Sequence, residues 1–283
     1  MNNDEQIAYW NGDAGRKWAQ RDAMMSRMLA PVAEALMDHA QVDDATAVLD
    51  VGCGGGSETL MLAKRLGPSA CVLGVDVSAP LLEVARSELL NLGDAGKGVG
   101  FLEADASSHD FGEQQFDLLF SRFGVMFFDD ATGAFKHLRK AMQPQGQLAF
   151  ACWQSLANNP WTALPLKAAL SVLPAPPTPK PRSPGPFAFA EPEYIQSLLT
   201  DAGWRDVVAT PHTISMEWEG SDGFEATARE LVNTGPVGRL LADVDSRTRD
   251  AVHAAATEVL APYFNNNRLS LAGAVWLVTA NNS

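Results

Sequence analysis

The sequence predicts an α/β protein built on a doubly wound parallel sheet. Three observations carry this. Short apolar runs alternate with amphipathic helical stretches from residue 46 to residue 153. The first of these runs ends in a cluster of glycines, Gly52, Gly54, Gly55 and Gly56, directly before a helical stretch. The chain has 283 residues, 46% apolar and 19% charged, which suffices to bury one large core.

Taken in order, residues 1–40 read as helical. Met24, Met25, Met28, Leu29, Val32 and Leu36 recur there at helical spacing and should face the core. Ala47–Val51 reads as a strand, and Ser57–Leu66 as a helix stopped by Gly67 and Pro68. Cys71–Val75 is a strand, and Ser78 caps a helix from Pro80 to about Leu90. Val99–Glu103 and Phe116–Ser121 are strands. A helix over Asp130–Met142 ends at Pro144 and Gly146, before a strand over Gln147–Trp153. Beyond Trp153 the rhythm breaks, and the prolines between Pro174 and Pro186 exclude regular structure there. Glu191–Ala202 reads as a helix, Val207–Trp218 as a strand, residues 222–262 as amphipathic helix with His253 on a polar face, and Ala274–Ala280 as a last strand. Together these make a Rossmann-like, seven-stranded sheet with helical lid additions and no second core. The expected layout is a single domain over 1–283. It has an N-terminal helical cover (1–45), a ligand-binding core (46–153), and lid or substrate segments at 154–190 and 220–270.

The composition excludes several partner classes. The net charge is −13 and the pI about 4.7. The densest basic stretch, Lys136, Arg139 and Lys140, is one helix face, so no nucleic-acid partner is expected. The three cysteines, Cys53, Cys71 and Cys152, suit a reducing compartment and have no metal-ligand spacing, so no metal is expected. Met1–Gln6 is polar, and no apolar run reaches the ~20 residues of a membrane span. The expected location is cytoplasmic with no membrane association, and nothing specifies the oligomeric state.

Chemistry concentrates around Val48–Gly56. Glycines let the backbone turn tightly and approach a ligand closely. Dinucleotide sites use the same device, but here Ser57 stands where their last glycine belongs. Asp50, at the strand end, suits a cationic ligand group and repels a pyrophosphate. Asp76 ends the next strand, 20 residues past Gly56, where a carboxylate accepts from both ribose hydroxyls. Asp105, after the third strand, is placed to accept from an adenine amino group.

With these residues in place, the chain resembles class I S-adenosylmethionine-dependent methyltransferases of the small-molecule type over about residues 45–155. The resemblance rests on Asp50-x-Gly52-Cys53-Gly54-x-Gly56, Val75-Asp76-Val77-Ser78, Ala104-Asp105-Ala106, the strand and loop Phe116–Phe128, and Leu138–Gly146. Gln145 departs from the pattern, because the family has glycine there. The resemblance implies S-adenosylmethionine as cofactor, held by Asp50, Gly52, Cys53, Gly54, Gly56, Asp76, Val77, Asp105, Ala106 and Ser121. It further implies methyl transfer to a small-molecule acceptor by in-line displacement.

A sulfonium methyl is already activated, so a general base is needed only where the nucleophile keeps its proton. No fixed catalytic residue is therefore assigned. Among the histidines, His109 is the one candidate near the ligand edge. Aromatic residues are expected on the substrate and cover side: Tyr9, Trp10, Trp18, Phe123, Trp153 and Trp161. Two alternatives stay open, a non-catalytic S-adenosylmethionine-binding protein and an NAD-dependent oxidoreductase. Asp50 and Ser57 count against the second.

Overall fold

A computed structural model describes residues 3–176, 180–220, 222–242 and 244–283. Residues 177–179, within the proline-rich stretch read as part of a lid, lie outside the described residues. The elements run α1 (Asn3–Asn11), α2 (Asp13–Ala40), β1 (Ala47–Val51), α3 (Ser57–Leu66), β2 (Cys71–Asp76), α4 (Ala79–Leu92), β3 (Val99–Glu103), β4 (Phe116–Arg122), α5 (Ala131–Lys140) and β5 (Met142–Trp153). They continue with α6 (Pro160–Leu170), α7 (Pro192–Asp201), β6 (Arg205–Glu219), α8 (Phe224–Val232), α9 (Pro236–Leu240), α10 (Ser246–Leu260), β7 (Phe264–Asn265) and β8 (Arg268–Asn281).

The chain divides into two compact units. One comprises Met1–Trp153, Pro181–His212 and Trp276–Ser283; the other comprises Gln154–Lys180 and Thr213–Val275. The sheet runs in the order β3-β2-β1-β4-β5-β8-β6, seven strands as expected, with the short β7 paired to β8 off this path. β1 pairs in parallel with both β2 and β4, β2 with β3, and β4 with β5. This is the Rossmann-like arrangement. The central strands are mostly apolar, as expected of a parallel sheet covered by helices on both faces. Accordingly Val48, Leu49, Val72, Leu118, Leu119, Phe120 and Leu148–Ala151 are all buried. From α2, Met25, Met28, Leu29, Val32 and Leu36 are buried as their spacing required, whereas Met24, expected with them, is half-buried.

The structure differs locally from the sequence reading at several points. β5 begins at Met142, not Gln147, because pairing continues across Pro144–Gly146. The N–H of Gln145 donates to the Asn282 carbonyl at 2.7 Å, and the N–H of Asn282 donates to Gly146 O at 2.8 Å. The stretch 154–190, read as irregular, contains α6, opened by Pro160 at its first position. Its residues are shared between the two units. The helical span 222–262 breaks into three. Pro236 opens α9, and Asp245 caps α10 by accepting from Thr248 N and Oγ1 at 3.0 and 2.8 Å.

A second apolar cluster, which hydropathy did not separate from the first, lies in the second unit: Ala168, Ala169, Val232, Val237, Leu241, Val252 and Ala256. His253 belongs with it. It is 4% exposed rather than on a polar face, because α10 is packed against both α6 and α8. Burial, reinforced by Arg229, lowers its pKa. In the same unit Asn159 is fully buried and fully used. Its amide donates to Gln154 O, Ser155 O and Ala274 O, and its oxygen accepts from Trp161 Nε1 and Ala274 N.

Candidate ligand site at the carboxyl edge of the sheet

The strand order reverses direction between β1 and β4, and a doubly wound sheet binds its ligands outside the strand ends at such a point. Register brings the chemistry together there. Val51 is opposite Val75, Asp50 opposite Phe120, and Asp76 opposite Glu103. The residues that follow these strand ends, Gly52–Gly56, Val77, Asp105 and Phe123, therefore share one edge.

The glycine turn is held by the backbone. The N–H groups of Gly52 and Cys53 donate to Val75 O at 2.8 and 3.1 Å. Gly52 has φ 72°, and a Cβ on it would stand 2.6 Å from the Cα of Gly124, so only glycine lets the loop after β4 approach. Gly54 has φ 53°, and the nearest atom to a Cβ there would be Leu81 Cδ1, at 4.0 Å. Its backbone is thus open to a ligand. Gly56 occupies the N-cap position of α3. Cys53 is 3% exposed, and burial, aided by Asp76 and Asp50, pushes its thiol well above the ordinary value.

Asp76 and Asp105 differ in how fully they are used. Asp76 accepts from Gly54 N on Oδ2 and from Ser78 N on Oδ1, each at 2.8 Å. Burial pushes its carboxyl up, and the N–H groups of Ser78, Gly54 and Val77 act against that. A carboxylate offers about four acceptor positions, so Asp76 retains capacity for hydroxyl donors. That is the requirement for a ribose diol, and the residues present fit it. At Asp105, Oδ1 accepts from Ser107 N at 2.9 Å and Ser107 Oγ at 2.7 Å, and Oδ2 accepts from Ser108 Oγ at 3.1 Å and from the Asn3 carboxamide. All four positions are engaged. Burial pushes this carboxyl up, but the hydrogen bonds from Ser107, Asn3 and Ser108 prevail and hold it below its ordinary value.

Asp50 stands differently from its sequence reading. It is 1% exposed and accepts from Thr59 Oγ1 at 2.6 Å, so its carboxyl is turned into the β1–α3 junction. Burial and the neighbouring Glu58 push it up to about 7. Glu58 is itself buried and pairs with Arg122 at 2.7 Å. Asp22 of α2 joins this group, and burial together with Glu58 raises its pKa. Ser121 is buried, its hydroxyl donating to Val51 O at 2.7 Å, so it ties β4 to β1. Ala106 is buried behind Asp105. Val77 uses its carbonyl to accept from Asn11 Nδ2 at 2.7 Å. Asp117, near the start of β4, accepts from Thr46 N, Thr46 Oγ1 and Ala47 N at the start of β1.

The N-terminal aromatics gather at this edge. Trp10 contacts Tyr9 at 5.3 Å, Trp18 at 6.2 Å and Phe127 at 5.5 Å between ring centroids. Ser78 occupies the N-cap position of α4 but makes no capping bond; its hydroxyl donates instead to Trp10 O at 2.9 Å. Asn11 accepts from Ala79 N at 3.0 Å while donating to Val77 O. Nothing in the sequence marks Asn3 or Asn11, because an isolated asparagine carries no pattern. Phe123 follows β4 in the left-handed region at φ 64° and stacks on Trp153 with centroids 4.3 Å apart and planes 3° apart. A non-glycine residue held at such a φ is strained, and such strain clusters at functional sites. Trp161 belongs to the second unit, and His109 packs its ring edge-on against Phe111 at 4.8 Å.

Residues 48–146 match a family model described as a methyltransferase domain. The chain is 29% identical over 129 residues to aklanonic acid methyltransferase DauC of Streptomyces sp. strain C5, covering 46% of this chain and 58% of that protein. It is 30% identical over 112 residues to the ubiquinone/menaquinone biosynthesis C-methyltransferase UbiE of Hahella chejuensis, covering 40% of this chain and 45% of that protein. The chain thus spans about half the length of these curated relatives. Among solved structures, it superposes on the BH2331 protein of Bacillus halodurans C-125 with a TM-score of 0.56 at 18% identity, over 88% of this chain and 98% of that one. That likeness is one of fold.

Proposed function

We propose that this chain, which belongs to the class I S-adenosylmethionine-dependent methyltransferases, transfers the cofactor's methyl group to a small, planar, aromatic or quinone-like acceptor. The observation that carries the reading is the Gly54–Asp76 bond at the open strand edge. It joins a backbone cradle to a carboxylate with acceptor capacity for a ribose. Asp76 would hold the ribose hydroxyls, Asp105 the adenine amino group, and the Gly52–Gly54 backbone the amino-acid portion. Asp50 acts through the β1–α3 junction as a positioning residue. When bound, S-adenosylmethionine supplies a methyl group activated by its sulfonium.

The chain's own part is to bind, orient and exclude water. Proximity and alignment supply up to roughly 7–11 kcal/mol of such a barrier. The Phe123–Trp153 stack offers a flat apolar wall beside the glycine turn, suited to a planar acceptor. The names of two relatives, an aklanonic acid methyltransferase and a ubiquinone/menaquinone biosynthesis C-methyltransferase, support that class. An acceptor that reacts as a phenolate or stabilised carbanion needs no strong base from the chain. Tyr9, Trp10 and Trp18 form the cover on the N-terminal side. A cytoplasmic location belongs to this reading, supported by three free cysteines and by the lack, among the described residues, of any helix long and apolar enough to cross a membrane.

The test is calorimetry with S-adenosylhomocysteine and NAD, followed by methyl transfer from labelled S-adenosylmethionine to a panel of hydroxylated naphthoquinones and anthraquinones. We expect S-adenosylhomocysteine to bind and label to reach the panel. Phe123→Ala should lower kcat/KM for the acceptor at least about tenfold and leave S-adenosylhomocysteine affinity within about twofold. Binding of NAD without S-adenosylhomocysteine refutes the reading.

A further inference from the structure

We infer that helix α1 is a strap latched across the adenine side of the cofactor site, with the Asn3 carboxamide standing on Asp105 where an adenine amino group would bind. The inference rests on the reading of the site given above.

Asp105 has four donors for about four positions. Ser107 and Ser108 are close in sequence to Asp105, and their bonds are part of its own turn. Asn3 alone comes from a distant segment. An incoming amino group therefore finds Asp105 saturated, and Asn3 is the donor that can leave without dismantling the turn. The chemistry also matches. A carboxamide nitrogen, like an exocyclic adenine nitrogen, is a planar NH2 conjugated to an sp2 carbon, and each presents two N–H donors to a carboxylate.

The far end of α1 is tied elsewhere. Asn11 donates to Val77 O and accepts from Ala79 N, Ser78 donates to Trp10 O, and Trp10 packs edge-on against Phe127. These contacts lie on the loop after β2 and on the loop after β4, not on Asp105. Release at Asn3 can proceed with the Trp10–Asn11 end still anchored. α1 itself resists little. It has nine residues, and of these only Gln6 is buried, whereas isolated helices of that length are marginal. A site whose competent form is only part of the population binds with an affinity reduced by that fraction, so the latch should weaken cofactor binding and slow entry.

The experiment compares the full chain with Asn3→Ala and Asn3→Asp, the second placing like charges together at the latch. S-adenosylhomocysteine binding is measured by calorimetry and stopped-flow Trp fluorescence, with hydrogen exchange of the α1 amides in the wild type. We expect both variants to bind about threefold or more tightly and to associate faster. In the wild type, amides 5–8 should exchange faster with S-adenosylhomocysteine than without it. Unchanged affinity and association rate in both variants, weaker binding in both, or slower exchange of α1 on binding each overturns the strap while leaving the cofactor assignment intact. Failure of all three proteins to bind S-adenosylhomocysteine removes the methyltransferase reading, and the strap with it.

Discussion

The backbone N–H of Gly54 donates to Oδ2 of Asp76 at 2.8 Å, so the glycine turn after β1 is tied directly to the carboxylate ending β2. The bond sets the direction of the carboxylate and leaves its remaining acceptor positions for hydroxyl groups. A ligand that engages Asp76 is by the same contact brought beside the Gly52–Gly54 backbone.

Asp76→Ala should accordingly weaken S-adenosylhomocysteine binding by at least about tenfold, since hydrogen bonds to a charged acceptor contribute about 1.5–3 kcal/mol each. The fold should persist, because β2 is also held by its pairing with β1 and β3. Calorimetry and circular dichroism check the two halves, and an unchanged dissociation constant removes Asp76 from the site.

Asp50 gives a pH dependence with a definite sign. Its carboxyl is raised to about 7 in the folded chain, from about 4 when unfolded. The folded state therefore keeps a proton that the unfolded state releases, and stability falls as pH rises between those values. The full effect is on the order of 4 kcal/mol. Asp22 and Asp76, also raised, act in the same direction. Asp50→Asn, which can still accept from Thr59, should flatten the loss of Tm between pH 5 and pH 8 and be the more stable protein at pH 8. Parallel melting curves for the two proteins would expose the idea as wrong.

Gln145 sits in the left-handed region at φ 69° while its N–H donates to Asn282 O at 2.7 Å. The hydrogen bond needs only backbone, and the side chain opposes that φ. Gln145→Gly should stabilise the chain by about 1 kcal/mol, read as a rise in Tm of roughly 2–4 °C. Gly146→Ala in the same turn should do the opposite, because a Cβ there would stand 2.9 Å from Gln143 O. A fall in Tm for Gln145→Gly would contradict this.

The sequence by itself determined the sheet and the edge at which its glycine turn and strand-end carboxylates stand. Apolar runs such as Val48–Val51 and Leu148–Ala151 are buried on both faces, and that burial writes itself into composition without tertiary information. The placement of Gly52, Gly54, Asp76 and Asp105 at the strand ends was legible for a related reason: a turn of fixed geometry and a carboxylate at a strand end are local features at fixed offsets. Tertiary structure alone decided the rest. Asp50 lies inside the chain because α3 packs over it, and Ser78 gives its hydroxyl to Trp10 because α1 crosses that loop. His253 is buried because α6 and α8 both meet α10, and Asn3 reaches Asp105 across a sequence separation of 102 residues. Each of these depends on which distant segment supplies the partner, and hydropathy and spacing report a residue's own segment, never its partner's.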